Sequence, residues 1–325
     1  MKTSTTSFIE MLRLNQHPKS TDKFAKPQRG VFSTLLNAEA AKKMGHKMNN
    51  RISEVTDIYF NAVVLCRKNK TTEALTVLLQ GDAAFENLED EPQHVIRLFK
   101  ISAWANYHYK ARQFNRGINL LVAGLSLSAE LEIEGYEVLQ FRRIEQLQNI
   151  CRILFSSKKH LEGFTLMRSI LRFILTGNAE GLYVKDWSHQ KFRQIRQMME
   201  STLDSVFIQL AVLNGSLCNP PFGNVFYHEF FFEELLGIME TDTYNRCILY
   251  NWMYIKTSYL KEGSDAFLSN VIEFISDVNI SPEYNALKEN LLTNCIDILQ
   301  TNENSIEIKE NILQYINNLK SASTT

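Results

Sequence analysis

Basic side chains are concentrated in one stretch of the chain and could bind an anion. Residues 141–196 contain eleven Lys and Arg against four Asp and Glu, a balance of +7 in a protein whose formal net charge is −1. Arg168 and Arg172 are four residues apart, so they share one face of a helix, as do Arg193 and Arg196. The pattern predicts a groove for an acidic partner, formed by Arg142, Arg143, Arg168, Arg172, Lys191, Arg193 and Arg196.

Two other interpretations of these cations stay open. They could cover a solvated surface and pair with acidic helices of the same chain. They could also contact the C-terminal helices of a second copy, because residues 265–325 carry three Lys and Arg against nine Asp and Glu, a balance of −6.

The most aromatic stretch is a second candidate binding surface. Residues 226–236 read FYHEFFFEELL and include Phe230, Phe231 and Phe232 in succession. Neighbouring residues of a helix point about 100° apart, so three in a row cannot face one side. Either neighbouring helices enclose this segment, or one phenylalanine is exposed as a binding anchor.

Residues typical of catalytic and metal sites occur without the spacing that such sites need. After His228-Glu229, the position where a zinc hydrolase needs its second histidine is Phe232. A single Glu-x-x-His unit, from Glu91 to His94, is half of what a di-iron site requires. The five cysteines are far apart and form no CxxC. We therefore predict no catalytic residue, no metal ion and no cofactor.

The elements that must position these residues are predicted to be helices. Only 6 Pro and 13 Gly occur in 325 residues, which favours long helices over a sheet with many turns. Thr72, Asn115 and Ser188 are predicted N-caps, and a helix break is expected near Gly45. Apolar residues recur at three- and four-residue spacings in segments 32–70, 97–112, 141–157, 161–175, 188–213, 226–239, 242–261, 264–277, 282–301 and 305–320.

Small residues recur with one spacing in three successive helical pairs. The spacing is 12 and then 7 residues, and a small residue at each position would let two helix backbones approach closely. The third pair keeps the first step but has isoleucine at the last position. The three sets are Ala62, Ala74 and Gly81; Ala105, Gly117 and Gly124; Cys151, Gly163 and Ile170.

This pattern resembles the tetratricopeptide repeat over about residues 57–176. The best-matching positions are Trp104, Ala105, His108, Phe114, Gly117, Leu121, Gly124 and Leu125. The steps from Ala74 to Gly117 and on to Gly163 are 43 and 46 residues, longer than the family period of about 34 residues. The resemblance implies an all-α fold of antiparallel helical hairpins stacked as an α-solenoid, with a groove that holds a protein or peptide.

These observations predict three regions and a binding function. Residues 1–31 are expected to form a basic, poorly ordered arm, 32–215 the repeat region, and 224–320 a helical region that continues the array. The favoured function is a non-catalytic interaction scaffold for a protein or peptide, including an acidic one. A peptide-sensing or nucleic-acid-associated regulator is the alternative, and a helical enzyme with an unrecognised site is less favoured. No apolar run is long enough for a membrane span, and a cytoplasmic location is expected; the oligomeric state is open.

Overall fold

A computed structural model describes residues 31–88, 90–213, 244–299 and 305–322. Every regular element in these ranges is helical, and none is a strand. The predicted arm, apart from Val31, and the aromatic segment 226–236 lie outside the described residues. The α-helices are α1 Val31–Met44, α2 His46–Arg67, α3 Thr71–Glu86, α4 Asp90–Lys110, α5 Phe114–Ile133, α6 Leu139–Ser156, α7 His160–Thr176, α8 His189–Gln194, α9 Arg196–Leu213, α10 Tyr244–Glu262, α11 Ser264–Ser276, α12 Asn285–Leu299 and α13 Ser305–Ala322, with a 3₁₀ turn at Pro282–Tyr284.

The helix ends follow the sequence signals in some places and depart from them in others. Gly45, with φ of 80°, separates α1 from α2 at the expected break. Ser188 caps α8 by accepting a hydrogen bond from the backbone N–H of Lys191 at 3.3 Å. Thr72 and Asn115 are not caps, because α3 and α5 begin one residue before each of them. The predicted helix over 188–213 is divided at Ile195 into α8 and α9.

Three turns, between α2 and α3, α4 and α5, and α6 and α7, share one backbone conformation. In each, a residue with positive φ follows the end of the first helix: Asn69 at 58°, Arg112 at 58° and Lys158 at 65°. The same four backbone hydrogen bonds recur, for example Gln113 N–H to the carbonyl of His108 and Gly117 N–H to the carbonyl of Gln113. These turns therefore join each helix pair in an equivalent way.

The described helices belong to two compact units. The first comprises residues 28–203, and the second contains the helical segments from Asp204 onwards. In the first unit each of α2 to α7 packs against the next, and α2 also packs against α4. Helix α1 packs on α2 and contacts the connection between α5 and α6: Glu39 accepts a hydrogen bond from Val138 N–H at 3.3 Å, and Lys43 donates to the carbonyl of Glu134.

The small residues of the repeated spacing lie at helix contacts in the first unit. A Cβ added at Gly117 would lie 3.3 Å from the carbonyl oxygen of Ala105 and 3.1 Å from Ile153 Cδ1. One added at Gly81 would lie 2.8 Å from the ring of Tyr59, and one at Gly163 2.7 Å from the ring of Phe155. These positions admit nothing larger without displacing a neighbour.

The second unit is built in the same way from neighbouring helices. Helix α10 packs on α11, α11 on α12 and α12 on α13. The rings of Phe207 and Trp252, whose centroids are 6.3 Å apart, join α9 to α10 in its core. Asn285 donates a hydrogen bond to the carbonyl of Leu319 at 3.1 Å and fixes the start of α12 against α13.

Candidate functional site

Arg143 is placed in the core of the first unit rather than in a cationic groove. Its side chain is fully buried, and its guanidinium donates to both carboxylate oxygens of Glu132 at 3.2 Å. It also donates to the carbonyls of Lys185 and Asp186 and lies 3.8 Å from the ring of Trp187. Burial raises the pKa of Glu132 to about 7, against the lowering effect of Arg143. Arg143 therefore ties the segment after α7 to α5 and α6.

The other six cations of the predicted groove are distributed over four helices. Arg142 is half-buried on α6 and donates to Ser102 Oγ of α4 at 2.8 Å. Arg168 and Arg172 are half-buried on α7, with Arg172 4.0 Å from Glu180. The exposed members of the set are Lys191, Arg193 and Arg196 at the end of the unit. Lys191 is 3.5 Å from Glu137.

The second predicted surface, Phe230, Phe231 and Phe232, lies outside the described residues. The buried aromatic cluster that the structure does describe is elsewhere. Phe173 packs edge-on against Trp187 at 5.0 Å, and Phe141 stacks on Phe192 at 4.6 Å between ring centroids. This cluster is a packing feature of the first unit.

A shallow polar groove runs between α4 and α6. Ser102, Asn106 and Tyr109 line it from α4, and Asn149, Arg152 and Ile153 from α6. It encloses only about 20 Å³, which is too small for a small-molecule ligand. The Oδ1 atom of Asn106, which lines this groove, is buried without a hydrogen-bond partner in the described structure. A buried acceptor without a donor is energetically costly.

The three equivalent turns form a basic edge of the first unit. We define this edge as residues 67–73, 110–116 and 152–162, which hold nine Lys and Arg and two Glu, a balance of +7. The turns touch one another in order. Lys110 Nζ donates to Asn69 Oδ1 at 3.1 Å, and the hydroxyls of Tyr109 and Ser156 are 3.0 Å apart. The cations are Arg67, Lys68, Lys70, Lys110, Arg112, Arg116, Arg152, Lys158 and Lys159.

A cavity of about 500 Å³ opens on the basic edge between the second and third turns. Its walls are Arg112, Gln113, Phe114, Asn115, Arg116 and Ser157. The sequence contained the signal for this edge, since each positive-φ residue stands five positions before the second small residue of its repeat. Charge counting along the chain missed it because its cations are spread over 93 residues, from Arg67 to Lys159.

The second unit contains a buried amine. Lys256 on α10 is fully buried and donates to Asn290 Oδ1 at 3.1 Å and to Asn294 Oδ1. Its ammonium lies 5.6 Å from the ring of Trp252. Burial lowers the pKa of Lys256 to about 7, although the charge of Asp297 opposes the shift. The amine is accordingly far less basic than a solvated lysine.

Comparison with protein-family models, with curated proteins and with solved structures gave no match for the chain. Within the described segments, no helix has the length and hydropathy needed to cross a membrane. The same segments contain no group of three His, Cys, Asp or Glu side chains placed to hold a metal ion. The groove and the basic edge are therefore the two surfaces considered for binding a partner.

Proposed function

We propose that the protein is a non-catalytic scaffold in which tetratricopeptide-like hairpins stack as an α-solenoid and hold an extended segment of a partner protein. Three observations support the stacked arrangement. The turns of the three hairpins are equivalent, small residues lie where their helices meet, and α2 packs against both α3 and α4. In such a stack the first helices of successive hairpins lie side by side, as α2 and α4 do, and α6 packs on α5.

The observation that carries the proposal is the unpartnered oxygen of Asn106 in the groove between α4 and α6. An extended peptide offers an N–H group at every residue, which would supply the missing donor. Arg152 is exposed at the same groove, whereas Arg142, beside Ser102, already pairs with Glu145. Because guanidinium groups pair with carboxylates in a bidentate manner, the groove favours a peptide that carries acidic side chains.

Selection from a phage-displayed library of random peptides tests this proposal. The parent protein should enrich peptides containing Asp or Glu. Replacing Asn106 and Asn149 together by Ala should reduce the affinity of an enriched peptide by about tenfold, since it removes two hydrogen-bonding groups worth about 0.5–1.5 kcal/mol each.

Asn119→Ala is the matched control, because Asn119 is an exposed asparagine on α5 of the same unit. It should leave peptide affinity unchanged. Enrichment of no peptide, or equal affinity of an enriched peptide for the parent and the double variant, would count against the groove.

A further inference from the structure

The basic edge carries positive charge that the described residues do not neutralise. Among the described residues, carboxylates lie within 4 Å of only two of its nine cations: Lys70 is 3.0 Å from Glu73, and Lys159 is 3.5 Å from Glu162. The first unit as a whole, residues 28–203, has 24 Lys and Arg against 18 Asp and Glu. Its excess of charge is thus comparable to that of the basic edge alone.

The opposite ends of the same helices are acidic. The connection between α3 and α4 and its flanks, residues 86–91, carry four Asp and Glu and no Lys or Arg. Residues 130–137, between α5 and α6, carry four Glu and no Lys or Arg, although Glu132 pairs with Arg143 and Glu137 lies 3.5 Å from Lys191. A polyanion approaching this unit would therefore be attracted to the basic edge more than to these two connections.

Two of the three turns place a cation where backbone geometry favours glycine. Arg112 and Lys158 have φ of 58° and 65°, a region in which the Cβ of an L-residue crowds the backbone. Glycine would adopt this conformation without that strain. Both side chains are exposed, so no packing in the described structure explains why a long cation stands there. The property that these two side chains share is their positive charge.

The helices that follow the turns add partial positive charge to the same edge. The N-termini of α3, α5 and α7 lie there, and none of the three has a side-chain hydrogen bond at its N-cap. Their first backbone N–H groups and the helix dipoles favour anions, phosphates in particular. A cation and a helix N-terminus recur once per hairpin. A polymer with repeating phosphates matches such a row.

The cavity between the second and third turns has the composition of a site for a planar group. Phe114 forms one wall, and the guanidinium-bearing Arg112 and Arg116 form others. Aromatic and guanidinium planes are the groups on which unstacked bases pack in proteins that bind single strands. An acidic peptide would use the cations but has no planar side group that requires this cavity.

We propose that the basic edge binds single-stranded nucleic acid, with the phosphates along the three turns and one base in the cavity against Phe114. This proposal rests on the three turns and the cavity rather than on the peptide groove between α4 and α6, with which the basic edge shares Arg152. The contacts are to phosphates and to one ring face, so the site discriminates little between sequences. A duplex is excluded from the cavity because its bases are stacked and paired.

Fluorescence anisotropy with a labelled single strand of about 16 nucleotides, at the upper end of known site sizes, tests the proposal. Binding by the parent should weaken steeply with salt, because each neutralised phosphate contributes about −0.7 to the slope of log K against log salt. Polyglutamate of similar charge and vesicles containing phosphatidylserine serve as the competing polyanions. Both should bind more weakly than the strand.

The decisive variant is Arg112→Gly with Lys158→Gly. It removes two cations while relieving the strained backbone, so the melting temperature should stay the same or rise. Affinity for the strand at about 50 mM salt should fall about tenfold, and the salt slope should become shallower by about 1.4. Phe114→Leu should lower affinity about fivefold or more without changing the slope, since it removes a stacking surface and no charge.

The matched control is Arg193→Gln with Arg196→Gln, which removes two exposed cations outside the basic edge. It should bind the strand as tightly as the parent does. The proposal is overturned by absence of strand binding at about 50 mM salt, by equal affinity of the glycine variant and the parent for the strand, or by polyglutamate or vesicles that displace the labelled strand as effectively as unlabelled strand does.

Discussion

Enlarging the side chain at position 117 should force α4 and α5 apart and destabilise the first unit. The first added carbon would already lie 3.3 Å from the backbone oxygen of Ala105 and 3.1 Å from Ile153 Cδ1. A backbone atom cannot yield without moving α4, whereas the Ile153 methyl can shift by a few tenths of an ångström. The three further carbons of a leucine would have to enter the contact between α4, α5 and α6.

Gly117→Leu combines a favourable and an unfavourable contribution to the free energy of unfolding. Replacing a helical glycine improves helix propensity by about 0.5–1 kcal/mol. Overpacking a tight contact costs about 1–3 kcal/mol or more, and the backbone contact favours the upper end. We expect net destabilisation of about 2 kcal/mol, which corresponds to a fall in melting temperature of about 4–8 °C for a unit of this size.

Thermal unfolding followed by far-ultraviolet circular dichroism measures this change. Gly117→Ala should destabilise less than Gly117→Leu, because it adds only the first carbon and its gain in helix propensity offsets part of that contact. Asn119→Leu adds a larger side chain at an exposed position of the same helix and should shift the melting temperature little. If the Gly117→Leu variant had the same melting temperature as the parent, the close approach of α4 and α5 would be refuted.

Three further predictions concern buried polar groups. Because burial lowers the pKa of Lys256 to about 7, the unfolded state binds a proton that the folded state lacks between about pH 7 and 10. The free energy of unfolding should therefore rise with pH in this window, by at most about 1.4 kcal/mol per pH unit. In Lys256→Met, the free energy of unfolding measured with urea should depend less steeply on pH. Arg143→Met should cost about 3–5 kcal/mol because it leaves Glu132 buried without its cation; urea unfolding of a variant that also carries Glu132→Leu should show recovery of most of this loss. Asp82 accepts hydrogen bonds from Tyr59 at 2.8 Å and Trp104 at 3.2 Å, so Asp82→Ala should destabilise by about 1–3 kcal/mol in the same assay. An unchanged unfolding midpoint for either Arg143→Met or Asp82→Ala would contradict the energetic importance of its contacts.

The helices were predictable because their signals are local. Apolar spacing located α6, α7 and α10 to α13 to within about three residues at each end, but it placed the start of α4 at residue 97 instead of Asp90. Gly45 marked a real break. The caps at Thr72 and Asn115 were wrong because the recurring backbone hydrogen bonds of the turns start α3 and α5 one residue earlier. Side-chain capping preferences do not contain that information.

The position of Arg143 shows what charge counting leaves out. It stands four residues before Leu147 and seven before Ile150, so it lies on the buried stripe of α6. That spacing was available in the sequence, but its partners were not. Glu132 is 11 residues away and Trp187 is 44, and only the packing of α5, α6 and the segment after α7 brings them together. A cation on an apolar helix stripe is predicted to be buried. Which residues it contacts there is decided by the tertiary structure.

The order of helix contacts has a consequence for how the first unit folds. Its main contacts join helices that are adjacent or next to adjacent in the chain, so most of them close short loops. Chains with such low contact order fold in microseconds to milliseconds, and stacked hairpins can nucleate at more than one place. Helix α1 is different, because Glu39 and Lys43 meet partners 99 and 91 residues away. It can dock only after the connection between α5 and α6 has formed, and in hydrogen exchange it should be the helix of this unit that opens first.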